Sequence, residues 1–145
     1  MARAFSIEDG NLNTSIASTR TRKYVDLDLS LTAKPAGDVY KKFDADAVKQ
    51  SVKNLLLTGR GEKPFQPYFG SDLYSALFEL DADFDPEYVQ NIVADAIANF
   101  EPRANVLSVT VQLQPDYNSL DVTVQFQVIN TKEIVTVDVS LARLR

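Results

Sequence analysis

Three runs of strict alternation near the C-terminal end constrain this chain more than any other feature. Leu107, Val109, Val111 and Leu113 alternate with Ser108, Thr110 and Gln112; Leu120, Val122, Val124, Phe126 and Val128 repeat the pattern; Val135, Val137, Val139 and Leu141 complete it. A period of two puts each apolar set on one face of a strand. The stretches "PDYNS" and "NTKE" between the runs read as turns. The prediction is a three-stranded antiparallel meander with one apolar face and one face of Thr, Gln, Ser and Asp suited to water. The apolar face needs a cover, and only the preceding residues can supply it.

Those residues carry helical spacing. Asp44 is placed to cap a helix in which Val48, Val52, Leu55 and Leu56 recur, ending at Thr58 and Gly59. Ser71 is placed to cap a short helix through about Leu80, with Leu73, Leu77 and Phe78 near one face. A third helix has Asp85 as N-cap, Pro86 at its first position, Glu87 in its first turn and a stripe of Val89, Val93, Ala96, Ile97 and Phe100. Pro102 ends it, because a proline disfavours helical backbone in the residue before it. Upstream, "YVDLDLSL" alternates over Tyr24 to Leu31, predicting a half-buried strand with Val25, Leu27, Leu29 and Leu31 inward. Residues 1–22 hold few apolar groups and lead into the basic run Arg20 to Lys23, which reads as an extended arm. The expected fold class is therefore α+β: an N-terminal strand, three helices, then the meander, with the helices packed on one face of the sheet. A chain of 145 residues that is 45% hydrophobic holds one such domain, expected over residues 23–145.

Composition removes several kinds of chemistry. With neither cysteine nor histidine, disulfides, thiolate metal sites and imidazole catalysis are out of reach, and neither metal nor cofactor is expected. The net charge is −5, with basic side chains concentrated before Lys63 and an acidic excess after it. The acidic part is not suited to nucleic acid. No run approaches the roughly 20 apolar residues of a membrane span, and "MARAFSIEDG" lacks the apolar core of an export signal. Folding in a cytoplasm, away from membranes, is the expectation.

Between the first two helices lies "TGRGEKPFQPYFG", Thr58 to Gly70. A phosphate-binding loop would follow a strand and end in Gly-Lys-Ser/Thr, whereas this one follows a helix and carries Glu62 in its middle. A structural reading gives Gly59, Gly61 and Gly70 the conformational freedom, Pro64 and Pro67 the stiffness, and Phe65, Tyr68 and Phe69 the apolar anchoring. Glu62 would tie the loop to a backbone amide or a basic group. The enzymatic alternative is glycoside hydrolysis, which needs only two carboxyl groups. Its candidates are Glu62, Glu79, Glu101, Asp81, Asp83 and Asp85. Asp85 has a role as an N-cap, and Arg103 next to Glu101 would lower a carboxyl pKa, the wrong direction for a general acid. Glu101-Pro102-Arg103 is either an exposed helix end with two unrelated charges or a rigid turn carrying a charge pair, with Arg103 offering a fork to a carboxylate.

Two ordered motifs bear on this choice. Leu56 to Thr58, the Gly-Glu-x-Pro loop from Gly61 to Gly70, the Leu-x-x-x-Leu-Phe-Glu run from Leu73 to Glu79, and the later Glu101-Pro102-Arg103 together resemble the baseplate wedge family of contractile-tailed phages, often labelled lysozyme-like. They are similar also to its counterpart in the type VI secretion baseplate. The resemblance spans about residues 44–145. It implies a structural subunit, not an enzyme, with a fold like the inner domain of a tail-sheath subunit. It implies as partners the helical core bundle of the other wedge proteins, met by Glu101, Pro102 and Arg103, and sheath subunits that add a strand to the sheet. The implied location is the tail baseplate of a virion, assembled in the bacterial host cytoplasm. A peptidoglycan-cleaving glycosidase stays as the alternative.

Overall fold

The computed structural model describes residues 24–35, 37–78, 85–114 and 117–142. The arm at residues 1–22, together with Glu79, Asp81, Asp83, Arg143 and Arg145, lies outside them. Among the described residues the elements are, in chain order, β1 (Val25–Leu27), β2 (Lys41–Phe43), α1 (Asp44–Leu57), α2 (Leu73–Phe78), α3 (Pro86–Phe100), β3 (Ala104–Gln114), β4 (Ser119–Val128) and β5 (Ile134–Ala142). They fall into two compact units, residues 1–47 and 48–145, and the chain passes from one to the other inside α1.

In the N-terminal unit, β1 pairs antiparallel with β2, with Val25 opposite Phe43 and Leu27 opposite Lys41. Asp44 closes the pair: its amide donates to the Tyr24 carbonyl at 2.9 Å and its carboxylate accepts from the Tyr24 amide at 3.2 Å. This holds Asp44 at φ +42, a left-handed conformation that Asp tolerates better than most residues. The half-buried strand expected over Tyr24 to Leu31 is corrected in length and in burial. It stops at Leu27, and Val25, Leu27, Leu29 and Leu31 are all exposed. The physical reason is a turn at Asp28, whose carboxylate accepts from the Ser30 amide at 3.1 Å while its carbonyl accepts from Leu31, itself at φ +53. Alternation selected a face, and that face is not buried.

The C-terminal unit follows the sequence closely. β3, β4 and β5 form an antiparallel sheet in that order, and Leu120, Val122, Val124, Phe126 and Val128 of β4 are buried with Val137, Val139 and Leu141 of β5. The other face carries polar cross-strand pairs, among them Thr123 to Asp138 at 2.9 Å and Gln114 to Asp121 at 2.6 Å. Leu107 departs from its alternation. The β3 register slips between Val106 and Ser108, and the extra residue is turned out to solvent, as in a β-bulge. The helices cover the apolar face: α3 packs along β3, and α2 touches α3 and β5.

Each helix is set by local chemistry. The Asp85 carboxylate caps α3 by accepting from the Glu87 amide at 2.9 Å, Pro86 occupies the first turn, and Val89, Val93, Ala96 and Ile97 are buried. Phe100, expected in that stripe, lies at its exposed margin. Val48, Val52, Leu55 and Leu56 of α1 and Leu73 and Leu77 of α2 are buried as their spacing requires. Ser71 does not serve as a cap by its side chain. Its hydroxyl, buried, donates to the Leu56 carbonyl at 2.7 Å, and the first α2 bond runs from Ala76 to the carbonyl of Asp72.

The contrast between the two apolar patterns predicts their energetics. Phe126→Ala should lower the unfolding free energy by about 3–5 kcal/mol, the usual range for emptying a buried aromatic site. Leu29→Ser should change it by less than about 0.5 kcal/mol. Urea denaturation of the two variants checks both.

Candidate functional site

The Glu101-Pro102-Arg103 turn is built where α3 gives way to β3. The Glu101 amide closes the last helical turn on the Ile97 carbonyl at 2.8 Å, and its carbonyl accepts from Ala104 at 3.1 Å as the strand begins. The Arg103 carbonyl accepts from Ile129 at 3.0 Å, stitching the turn to the loop after β4. The Glu101 side chain points inward, and the residue is only 3% exposed. Its carboxylate accepts from Arg103 Nε at 2.5 Å and Nη2 at 2.7 Å, and from the Ser51 hydroxyl of α1. The pair is thus a bidentate fork with a third donor, which leaves the buried charge well satisfied. Burial by itself raises the Glu101 pKa; hydrogen bonds from Arg103 and Ser51 and the guanidinium charge outweigh it, and the carboxyl lies below its ordinary value. Arg103 keeps 35% of its side chain exposed, and Pro102 is exposed beside it. Of the three motif residues, then, Pro102 and Arg103 reach the surface and Glu101 faces its own chain.

The Gly59 to Gly70 loop packs its fastenings at the neck. Gly59 and Ser71 form an isolated parallel bridge, with the Ser71 amide on the Thr58 carbonyl at 2.9 Å. Glu62 reaches back so that its carboxylate accepts from the Gly59 amide at 2.9 Å, Arg60 meets Asp72 at 2.8 Å, and the Gly61 amide donates to the Pro67 carbonyl at 2.8 Å. Gly61 and Gly70 take positive φ, as their residue type suggested, but Gly59 does not. Its lack of a side chain serves proximity instead, because a Cβ there would sit 3.3 Å from the Glu62 carboxyl carbon. At Gly70 a Cβ would stand 2.4 Å from the Thr58 carbonyl oxygen. The anchoring assigned to the rings is corrected. Phe65 is 102% exposed, at φ +66, and Tyr68 is 80% exposed. Only Phe69 is half-buried; it meets Phe100 edge to face at 5.3 Å and lies under the Lys63 ammonium at 3.9 Å. Pro64 is exposed with them. Backbone hydrogen bonds stiffen this loop, and most of its apolar area faces out.

Of the acids considered for catalysis, the three among the described residues are employed otherwise. Glu62 holds the loop neck, Glu101 holds Arg103 with a lowered pKa where a general acid needs a raised one, and Asp85 caps α3. Glu79, Asp81 and Asp83 lie outside the described residues. A cavity of about 440 Å³ is lined by Phe65, Gln66, Pro67, Tyr68, Phe69 and Phe100, with no carboxyl group in its wall. Among the described residues no cluster of acids could hold a metal ion.

The sequence profile of the baseplate wedge protein gp25 family matches residues 44–133, taking in both the loop and the Glu101-Pro102-Arg103 turn. The chain belongs to that family. It is 32% identical over 88 residues to baseplate wedge protein gp25 of Enterobacteria phage T4, across 61% of this chain and 67% of that one. Among solved structures the fold is shared with a Geobacter sulfurreducens protein named as a tail lysozyme (TM-score 0.61, 23% identity, 69% of this chain and 91% of that one). It is shared too with a chain of the anti-feeding prophage baseplate (TM-score 0.57, 18%, 82% and 85%). A chain of the type VI secretion baseplate complex is similar as well (TM-score 0.56, 15%, 68% and 92%). The protein is a structural wedge subunit of a baseplate, and not an enzyme.

Replacing Glu101 tests the buried pair. Glu101→Gln keeps the shape but loses the charge-assisted bonds, and should cost about 1–3 kcal/mol at pH 7. Because the folded pKa is depressed, the carboxylate's contribution is present above the unfolded pKa and disappears as pH falls through the folded one. Urea midpoints of wild type and variant should therefore converge as the pH is lowered below the ordinary carboxyl value of 4.5. In the loop, Gly70→Ala should cost about 3 kcal/mol or more, through its clash and its backbone conformation, and Gly61→Ala only about 1 kcal/mol. Thermal denaturation separates the two.

Proposed function

We propose that the protein docks on the helical core bundle of the other wedge proteins through the Glu101-Pro102-Arg103 turn and anchors the first ring of sheath by strand addition. The observation that carries this reading is the bidentate Glu101 to Arg103 pair at the junction of α3 and β3, with the carboxylate buried and the guanidinium partly exposed. A guanidinium fixed in one rotamer by its own carboxylate loses little further entropy on binding, so its exposed part can contact a partner at low ordering cost. Pro102 fixes the backbone that presents it. Glu101 acts through Arg103.

Strand addition needs an unpaired edge, and among the described residues the sheet has two, β3 and β5. β3 carries the bulge at Leu107, a device that blunts edges, whereas β5 keeps an unbroken register with β4 from Ile134 to Ala142. β5 is the edge that receives a sheath strand. Assembly takes place in the bacterial host cytoplasm, where wedge and sheath subunits meet, and the mature location is the tail baseplate.

The test mixes the full chain with its cognate wedge proteins and sheath subunits. A Glu101→Ala/Arg103→Ala double variant, checked for folding, should lose wedge binding in size-exclusion chromatography, and Arg103→Lys, which keeps the charge without the fork, should weaken it. On sheath addition, amides of β5 should gain protection from hydrogen exchange while those of β3 exchange as before. Unimpaired wedge binding by the double variant would refute the docking, and protection of β3 in place of β5 would refute the edge.

A further inference from the structure

The feature least explained by folding is the aromatic cavity beside the docking turn. Phe65 is fully exposed and sits at φ +66, a conformation that costs a bulky residue energy and that persists only where the surroundings impose it. The surroundings do impose it. Pro64 and Pro67 flank Phe65 in sequence, the Gln66 amide donates to the Lys63 carbonyl at 3.2 Å, and the Phe69 amide donates to the Gln66 carbonyl at 3.0 Å. A rigid loop thus holds an apolar ring away from its own core. With Tyr68, Phe69, Pro67 and Phe100 it lines the 440 Å³ cavity, a volume able to take one large side chain.

Continuity and charge say what covers it. Phe100 is the residue before Glu101, so the cavity borders the Glu101-Pro102-Arg103 turn with no gap in the chain. Lys63 stands over the ring of Phe69, one of the lining residues, with no carboxylate at ion-pair distance among the described residues. Arg60 and Asp72 neutralise each other, and the Glu62 carboxylate is turned to the Gly59 amide. A symmetric contact between two copies of this surface would bring two Lys63 ammonium groups into one interface with no carboxylate among the lining residues to offset them. The arm of the chain carries the basic run Arg20 to Lys23, again of the same sign. An acidic partner is the complement.

We propose that this cavity receives a large apolar side chain of a neighbouring wedge subunit, flanked in that subunit by a carboxylate that meets Lys63. The proposal rests on the docking reading above, and extends it from a charged turn to an interface with an apolar centre and a charged border. Such an arrangement is usual where a few aromatic anchors carry most of the affinity.

The chain contains no tryptophan, so Phe65→Trp, labelled with 5-fluorotryptophan, gives a single ¹⁹F reporter in the cavity. Adding the unlabelled cognate wedge proteins to the full-length labelled chain should shift that resonance. Phe65→Ser/Tyr68→Ser, substitutions at exposed positions with wild-type melting expected, should weaken wedge binding about tenfold or more. Lys63→Glu should weaken it several-fold and flatten its salt dependence. If both variants bind within twofold of wild type and the resonance stays put, while Glu101→Ala/Arg103→Ala loses binding, the cavity is overturned and the docking turn stands. If instead the Glu101/Arg103 variant binds normally and the cavity variants do not, the cavity is the interface and the turn is refuted. A shift that appears on concentrating the chain alone would assign the cavity to a second copy and overturn the proposal.

Discussion

The buried Glu101 carboxylate is the point on which the C-terminal unit depends. It joins three parts of the chain: α1 through Ser51, the end of α3 through its own backbone, and the start of β3 through Arg103. Removing a charge from water is costly unless it is paired and hydrogen-bonded, and here a planar fork and a hydroxyl supply three donors to the two oxygens. The same contact that satisfies the interior fixes the Arg103 rotamer at the surface. Stability and presentation of the Glu101-Pro102-Arg103 turn are therefore one arrangement, and a change to either Glu101 or Arg103 disturbs both.

The Gly59 to Gly70 loop shows a second division of labour. Its rigidity comes from polar groups at the neck, where Glu62, Ser71 and the Arg60 to Asp72 pair act, together with Gly61 and Gly70, whose positive φ disfavours a side chain. That leaves Phe65 and Tyr68 free of any holding role. Phe65 and Tyr68 stand in solvent on a frame that does not need them, next to a turn whose charged partner is internally paired. A face assembled in this way is preorganised, so little further ordering is needed when a partner is met.

Much of the C-terminal unit was legible from residue order. Helix and strand periods are local properties of the chain, and the caps act within one turn, so the buried stripes of α1 and α3, the Asp85 cap and the three strands could be read directly. The motif residues could also be read, because their spacing is unusual. Other features were not legible. β2 is three residues long and two of them are lysines, too short and too polar to show a period. The bulge at Leu107 breaks an alternation that the letters continue, since register depends on the partner strand. Ser71 and Glu62 have side chains that could cap or pair in several ways.

Burial separates the two levels most plainly. Val25, Leu27, Leu29 and Leu31 alternate as regularly as the residues of β4, and the first set is exposed while the second is buried. Phe65 and Phe126 are the same residue type at opposite extremes of exposure. Residue order by itself determined which elements form, which kinds of chemistry are absent and to which family the pattern belongs, because periodicity, composition and motif spacing are one-dimensional. Only the tertiary structure decided which apolar faces are covered, that Glu101 turns inward while Arg103 reaches the surface, and that the loop's rings face out. Those outcomes depend on contacts between distant residues, such as Ser51 with Glu101 and Ser71 with Leu56, and no local pattern encodes a partner 15 or 50 residues away.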